Sequence, residues 1–456
     1  MAESMSESGH SAFRTSEKYF KSRAPHPEIA AGLIKRRFRK RLDPAQSYPL
    51  LQGQGVLDLS RPVGQEKEDE VKRAGWKPGE DPLGGRPARK IRVDKPGAGS
   101  RDGYIVGDGL LLIPGYLNET EQLALVRSSL SEYTCPPNPL SLSTHYVLPK
   151  ASETSLFSLY ASDPETLVPS IASTLLDVDT LRPSPSPTPS SSSSAKRQLT
   201  QNQAASEEGY DSIVQRVEGW KGDEPSMKLK SKTAKKLVET ELRWANLGWV
   251  YNWTNKAYDF TSTPPPTFPE PLAETCKDIV RGIPWDEVFG NIDDVCGEGY
   301  EEGGRIRPDG YHNWGEDYAP DTGIVNFYQT KDTLMGHVDR SELDPYRPLI
   351  SISLGHAGIF LLGETTRQTP PIPIVLRSGD VLVMAGRGRK CYHGIPRIME
   401  GTLPDHLKLI EGGQEEEEDE TTRACKRFIS NARININARQ VFPKGFRRGG
   451  TGTVLE

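Results

Sequence analysis

The sequence predicts a mainly β protein with flanking helices, an α+β fold whose core is an antiparallel sandwich or jelly roll. Period-two runs dominate the C-terminal part of the chain, separated by Gly, Pro and Asp turns: PLISISLGHAGIFLLG (348–363), PIVLRSGDVLVMAG (373–386), CYHGIPRI (391–398) and FISNARININARQVF (428–442). Few helical windows occur after residue 320. Because no helix-length segments alternate with these strands, a doubly wound fold is excluded.

Composition limits the size of the packed core. Of the 456 residues only 35% are hydrophobic, while 43 are Gly and 37 are Pro, which predicts disordered or loop-rich stretches around it. The net charge of −5 gives no general polyanion-binding signal. No run of 18 apolar residues occurs and the acidic start lacks an apolar segment, so neither a membrane span nor a secretory signal is expected. The five scattered cysteines, never in CxxC, indicate a reducing compartment.

The first half of the chain divides into three predicted regions. Residues 1–95 form a weakly ordered extension whose cluster KRRFRKR (35–41) is either a nuclear-import or nucleic-acid patch or a solvated helix face. Residues 96–181 contain a strand, a turn and a helix with Asn118 or Thr120 as N-cap. The apolar stripe of that helix consists of Leu123, Leu125, Val126 and Leu130. Residues 182–235 are a disordered Pro/Ser-rich insertion and charged linker.

Residues 236–456 form the predicted jelly-roll domain, interrupted by a disordered acidic loop at 411–422. Within it, His337 and Asp339 make an H-x-D, and residues i and i+2 of a strand share a face. His393 lies in a later β-like run. Two His and one carboxylate facing one cavity would make a facial triad suited to non-haem Fe(II). Taken singly, the H-x-D is more often a surface pair than a metal site, and an ordinary hydrogen-bonded His is the better explanation of His393.

The last strand alternates apolar and polar residues. Phe428, Ile434, Ile436 and Ala438 fall on one face, and Asn431, Arg433, Asn435, Asn437 and Arg439 fall on the other. If the polar face looks into the barrel, a buried guanidinium needs an anion, preferably a carboxylate; the alternative is an edge strand with a wet face. Upstream, Asn326 and Tyr328 share a face in the same way. A barrel lined by these groups requires a metal and a dianion, which Fe(II) and 2-oxoglutarate supply.

The order N-x-Y, H-x-D, distal His, R-x-N-x-x-x-R resembles the AlkB family of Fe(II)/2-oxoglutarate-dependent dioxygenases. The segments LRWANLGWVYNW, GIVNFYQTKDTLMGHVDRSELD, SLGHAGIFLLG, LRSGDVLVMAG and RININARQV are most similar to its eukaryotic subfamily, AlkB homologue one. The resemblance covers 236–456 strongly and 103–150 weakly. It implies a double-stranded β-helix, the jelly roll of this family, with Fe(II), 2-oxoglutarate and O2 as its reactants.

Carried over residue by residue, the resemblance makes His337, Asp339 and His393 the iron ligands and Arg433 the partner of the distal carboxylate of 2-oxoglutarate. The other implied 2-oxoglutarate contacts are Asn326, Tyr328, Asn435 and Arg439, the last of them near the iron-binding carboxylate. Candidate substrate contacts are Trp249, Tyr251, Arg340, Ser341 and Glu342. Aromatic residues of LGWVYNW (247–253) could stack on a flipped base, or simply pack in the core.

Two departures from the family pattern bear on specificity. Ser341 stands where the bacterial repair enzyme has an acidic residue, so direct repair of alkylated DNA is not assumed, and Asn437 replaces the usual Thr.

The resemblance favours oxidation of methyl groups on nucleic acid, chiefly transfer RNA (N1-methyladenosine or methylcytosine) or methylated DNA bases, by a monomer. A histone methyl-lysine demethylase with the same iron centre and a catalytically silent binding module are the alternatives. The basic cluster favours the nucleus or cytoplasm, with mitochondria left open.

Overall fold

The computed structural model describes residues 11–21, 56–59, 88–149, 154–171, 176–177, 182–183, 230–252, 257–258, 266–289, 308–339, 342–409 and 418–442. In chain order the strands are β1 (Arg89–Lys95), β2 (Gly99–Gly107), β3 (Leu110–Ile113), β4 (Leu167–Val168), β5 (Leu176–Asp177), β6 (Arg182–Pro183), β7 (Lys232–Thr233), β8 (Trp244–Gly248), β9 (Tyr251–Asn252), β10 (Ala257–Tyr258), β11 (Thr322–Gln329), β12 (Leu334–His337), β13 (Leu349–Gly355), β14 (Gly358–Leu362), β15 (Ile372–Leu376), β16 (Val381–Met384), β17 (His393–Ile398) and β18 (Ala432–Arg439). The helices are α1 (Ala12–Lys21), α2 (Glu119–Ser131), α3 (Leu156–Ser162), α4 (Ala234–Thr240), α5 (Glu270–Gly282), α6 (Trp285–Phe289), α7 (Trp314–Asp317) and α8 (Glu420–Ile429).

Two antiparallel sheets form the body of the protein. The larger has the strand order β1-β2-β3-β16-β13-β18-β11-β8, and the smaller has the order β12-β17-β14-β15. The sheets share an apolar core to which Leu349 and Leu382 contribute from the larger sheet and Leu376 and Ile395 from the smaller. The predicted jelly-roll core with flanking helices is confirmed.

Strand β13 shows how the period-two pattern encodes this arrangement. All of its residues are buried. Leu349 packs in the core between the sheets, whereas Ile350, Ile352 and Leu354 pack in a second core with residues of the surrounding helices. Successive strand residues point to opposite faces, so a strand covered on both sides must be apolar on both. Ser351 and Ser353, which lie on the same face as Leu349, are therefore polar groups inside the barrel.

Helix α2 begins as the sequence predicts. Asn118 is the N-cap: its side chain accepts a hydrogen bond from the backbone N–H of Glu121, and the Glu121 side chain accepts one from the backbone N–H of Asn118. This reciprocal pair satisfies two donors that a helix N-terminus otherwise leaves unpaired. Val126 and Leu130 are buried in the core, so the predicted helix and its cap are confirmed.

The predicted weakly ordered extension, 1–95, contains two regular elements, α1 and β1. Phe13 and Phe20 of α1 are buried against the outer face of the smaller sheet, beside Ile359 and Leu361. Glu17 also accepts a hydrogen bond from the N–H of Gly336 in β12. Composition missed this helix because its apolar residues need the sheet face as a partner. The basic cluster 35–41 lies outside the described residues.

Two predicted disordered segments also require correction at their ends. In the region 182–235, β6, β7 and the start of α4 are regular, while 184–229 lie outside the described residues. Helix α8 begins inside the predicted acidic loop, with Asp419 as its N-cap. Phe428, predicted to start the last strand, belongs to α8 and packs edge-on against Phe327 with ring centroids 6.0 Å apart. The segment is helical rather than extended up to Ile429, because the buried residues Ala424, Cys425, Phe428 and Ile429 recur at helical spacing.

Within the described ranges, none of the helices has the length and apolar character that crossing a membrane would require. Described Cys135, Cys276, Cys391 and Cys425 are all free thiols.

Replacing Phe13 by Ala is expected to destabilise the protein by about 3–5 kcal/mol, the usual cost of emptying a buried Phe site. Phe13 is completely buried between α1 and the smaller sheet. Chemical denaturation would measure the change in the free energy of unfolding. Leu167→Ala is the control, since Leu167 is 53% exposed, and equal effects of the two changes would contradict the packing of α1.

Candidate metal and anion site

The two predicted histidine ligands face each other across neighbouring strands. His337 ends β12 and His393 begins β17, and the antiparallel register pairs them directly. Their ring centroids are 4.4 Å apart. Asp339 follows two residues after His337, and each Nε2 lies 3.8 Å from one of its carboxylate oxygens. Ligand atoms of the three residues all lie within 4.8 Å of one another.

Backbone carbonyls determine which imidazole nitrogen is free. Nδ1 of His337 lies 2.9 Å from the carbonyl of Met335, and Nδ1 of His393 lies 3.1 Å from the carbonyl of Cys391. Because a carbonyl only accepts, each Nδ1 carries a hydrogen, and Nε2 is the nitrogen of each ring that lies toward Asp339. Burial, reinforced by the neighbouring His337, lowers the pKa of His393 to about 4, so this ring is neutral at pH 7.

Asp339 is the anionic member of the triad. Burial by itself would raise its pKa, but Arg439, His393 and His337 together hold that pKa below its ordinary value. Nη1 of Arg439 lies 3.4 Å from the carboxylate of Asp339. The site therefore presents one ionised carboxylate and two imidazole Nε2 atoms, a donor set that fits Fe(II) and leaves coordination positions open.

A buried cation lies in the same barrel. Arg433 of β18 has no exposed surface, and its guanidinium donates to Ser353 Oγ at 2.7 Å and to the carbonyls of His356 and Leu376 at 3.1 and 3.2 Å. Burial lowers its pKa to about 10, so it remains charged at pH 7. Its Nε and the hydroxyl of Tyr328 have no hydrogen-bond partner among the described residues.

Gly358 of β14 packs against Arg433. A Cβ built on Gly358 would lie 3.3 Å from Nε of Arg433, closer than ordinary van der Waals contact, so glycine lets the guanidinium fit at this position. No carboxylate in the described parts of the chain forms an ion pair with Arg433. A buried guanidinium with an unused N–H, next to an unpartnered phenol, matches a carboxylate ligand, and the distal carboxylate of 2-oxoglutarate has this chemistry.

The register of β11 against β18 places the remaining predicted 2-oxoglutarate contacts. Tyr328 lies opposite Arg433, and Asn326 lies opposite Asn435. Nδ2 of Asn435 donates to Ser351 Oγ at 2.9 Å and to the carbonyl of Ile352 at 3.0 Å. These bonds use both amide hydrogens, so Asn435 can meet a ligand only through its oxygen.

The predicted substrate contacts that the structure describes, Glu342 and Trp249, are both buried. Glu342 is not at a substrate surface: its side chain is 1% exposed and pairs with Arg389 and Arg439. Trp249 is 6% exposed and packs edge-on against Phe442, with ring centroids 5.6 Å apart, so it has a packing role. Arg340 and Ser341 lie outside the described residues, as does the side chain of Tyr251.

Sequence reasoning missed Arg389, a fully buried arginine in the turn before β17. Its segment, GRGRK, is rich in cations and glycine, which on composition alone indicates an exposed turn. Only its place four residues before His393 hinted at the site. The carboxylate that makes its burial tolerable, Glu342, comes from a distant part of the sequence.

Several curated proteins are similar in sequence to this chain. The DNA N(6)-methyladenine demethylase ALKBH1A of Arabidopsis thaliana is 36% identical over 202 residues, 44% of this chain and 49% of its own. The tRNA demethylase abh1 of Schizosaccharomyces pombe is 26% identical over 336 residues, 74% of this chain and 80% of its own. The nucleic acid dioxygenase ALKBH1 of Homo sapiens is 30% identical over 240 residues, 49% and 52% of the two chains.

The chain thus spans about half the length of the plant and human relatives. The solved structure of OsALKBH1 aligns over 73% of this chain and 99% of its own, at 17% identity and a TM-score of 0.36. The curated relatives confirm the resemblance to the AlkB homologue one subfamily. The 2OG-Fe(II) oxygenase superfamily matches residues 195–439, which is more than half of the sequence. The chain therefore belongs to the 2OG-Fe(II) oxygenase superfamily.

Proposed function

We propose that this protein is an Fe(II)- and 2-oxoglutarate-dependent dioxygenase that oxidises methyl groups on nucleic acid, with transfer RNA as its substrate. The observation that carries the proposal is the presence, in one barrel, of a three-residue metal site and a buried arginine with an unpaired N–H. A buried guanidinium with an unpaired N–H destabilises a barrel unless a ligand pairs with it. Together the two features provide binding groups for a metal and a dicarboxylate.

The residues that would hold the iron are His337, Asp339 and His393, and Arg433 would bind the distal carboxylate of 2-oxoglutarate. When bound, Fe(II) with 2-oxoglutarate and O2 supplies the oxidation of a methyl C–H bond, with release of succinate and CO2. Hydroxylation of an N-methyl group gives an unstable hemiaminal that loses formaldehyde, whereas a hydroxylated C-methyl group persists.

The side chains of this protein bind, orient and exclude water. The Nδ1–H bonds to backbone carbonyls keep both imidazoles in the tautomer that presents Nε2. Phe360 stacks on His393 with ring centroids 5.9 Å apart and covers one side of the site. Three hydrogen bonds to other protein groups hold the guanidinium of Arg433 in position. Such preorganisation reduces the ordering needed when the co-substrate binds.

The choice of polymer rests on the relatives. The plant relative acts on DNA N(6)-methyladenine and the fission yeast relative on tRNA, as their names state. We favour transfer RNA because the match to the tRNA demethylase extends over 80% of that protein. A location in the nucleus or cytoplasm is part of the proposal, supported by the cluster KRRFRKR at 35–41.

Succinate formation from 2-oxoglutarate tests this function. The protein with Fe(II) would be assayed alone, with bulk transfer RNA, with methylated single-stranded DNA and with methylated histone peptides. We expect a rise with transfer RNA that disappears in His337→Ala and persists in His145→Ala, where the histidine is exposed. A rise only with peptide would instead support a protein demethylase. No succinate from iron-loaded protein under any condition would support a silent binding module.

A further inference from the structure

A buried ion pair connects the two segments that carry the metal ligands. Nη2 of Arg389 lies 3.2 Å from Oε2 of Glu342, and the two side chains are 2% and 1% exposed. Glu342 follows Asp339 by three residues, and Arg389 precedes His393 by four. The pair therefore joins the segment after β12 to the turn before β17, at the level of the triad.

The pair continues into an alternating row of charges that ends at Asp339. Arg439 Nη1 lies 2.9 Å from Oε1 of Glu342 and 3.4 Å from Oδ2 of Asp339. The row thus runs Asp339, Arg439, Glu342, Arg389, with two carboxylates and two guanidiniums. Charges removed from water interact strongly, and removing one partner leaves its neighbour uncompensated.

Other polar groups hold the far end of the row. Nη1 of Arg389 donates to the backbone carbonyl of Arg347 at 2.7 Å. The hydroxyl of Tyr258 lies 3.3 Å from Oε1 of Glu342. Oε1 of Glu342 is thus hydrogen-bonded by Arg439 and Tyr258, while Oε2 is ion-paired with Nη2 of Arg389, which makes no hydrogen bond among the described residues.

Arg439 contacts two carboxylates at unequal distances, and this difference affects the metal site. A guanidinium can form a bidentate pair with one carboxylate. Were Arg439 to do so with Asp339, it would compete with a metal ion for the Asp339 oxygens. Glu342 has the shorter contact with Arg439, which leaves Asp339 only loosely paired and available as a ligand.

We propose that Glu342 and Arg389 are positioning residues of the metal centre: Glu342 keeps Arg439 from closing on Asp339, and Arg389 fixes Glu342 in that position. The inference rests on the proposed function insofar as the triad binds a metal. It assigns Glu342 an internal role in place of the predicted contact with substrate. Neither residue touches the metal in this arrangement, since both act through Arg439 and Asp339.

Binding of Co(II) to the metal-free protein, followed by absorbance, tests the proposal without turnover. Glu342→Gln and Arg389→Met are each expected to weaken Co(II) binding about 10- to 100-fold, the usual effect of losing a group that orients a metal ligand. Arg389→Lys keeps the charge and should restore part of the affinity. Thermal unfolding of the same metal-free samples separates this effect from loss of stability.

Lys95→Met is the matched control, because Lys95 is also a buried cation paired with a carboxylate, Glu121, but belongs to β1. It should lower the melting temperature while leaving Co(II) affinity unchanged. Unchanged Co(II) affinity in folded Glu342→Gln or Arg389→Met, with normal binding by the wild type, would overturn this inference alone. Failure of the wild type to bind Co(II) would overturn both the inference and the proposed metal centre.

Discussion

Asp339→Ala is expected to abolish both metal binding and turnover. Asp339 is the anionic member of the triad, and its removal leaves two imidazoles beside Arg439, whose guanidinium lies 3.4 Å from the carboxylate that is lost. A metal ion would then lie near Arg439 with no carboxylate of the triad to offset its positive charge. The loss should exceed the about 10- to 100-fold effect of removing a group outside the ligand set. Co(II) titration and succinate formation measure the two consequences separately.

Asp309→Ala provides the control for this change, because Asp309 is an exposed aspartate in a turn. It should bind Co(II) and form succinate as the wild type does. Succinate formation by Asp339→Ala at the wild-type rate would show that the three residues, although close together, are not the metal ligands.

Arg433→Ala is expected to raise the 2-oxoglutarate concentration required for half-maximal succinate formation by roughly 10- to 150-fold, since a hydrogen bond to a charged group contributes about 1.5–3 kcal/mol. The truncation also removes the donor to Ser353 and to the His356 and Leu376 carbonyls. Some loss of stability should therefore accompany it. Equilibrium binding of 2-oxoglutarate to folded, Co(II)-loaded protein isolates the effect on the anion.

Arg433→Lys is the informative companion variant. It retains the positive charge but lacks the planar fork of the guanidinium, so an intermediate requirement for 2-oxoglutarate is expected. Arg281→Ala, at the exposed end of α5, should leave the requirement unchanged. An unaltered requirement in Arg433→Ala would mean that the dicarboxylate binds elsewhere.

Local patterns were sufficient where the structure depends on neighbours in sequence. The alternation in β18 predicts which residues face the barrel, and Arg433 and Asn435 are buried there while Ile434 and Ile436 pack with the helices. The N-cap of α2 follows from Asn118 and Glu121 because capping involves residues three apart. His337 and Asp339 also lie close together, but not as neighbours on one strand face as predicted, because β12 ends at His337 and Asp339 lies beyond it.

Local patterns failed where burial depends on a distant partner. Helix α1 lies in a polar segment, and its two phenylalanines are core residues only because the smaller sheet offers an apolar face. Glu342 lies in SELD, which on sequence alone resembles an exposed turn. Arg389 and Arg439 make its burial tolerable by supplying the opposite charge. Trp249 likewise packs edge-on against Phe442, which is distant from it in the sequence.

Period-two alternation and residue chemistry are enough to predict the jelly-roll class, the residues that could ligate a metal and the strand face that could bind an anion. The pairing of His337 with His393 could not be predicted in this way, since strand register depends on side chains that meet across the sheet. The burial of Glu342 between two arginines likewise depends on the fold. Whether a charged side chain is exposed or buried depends on which counter-charge the fold brings to it.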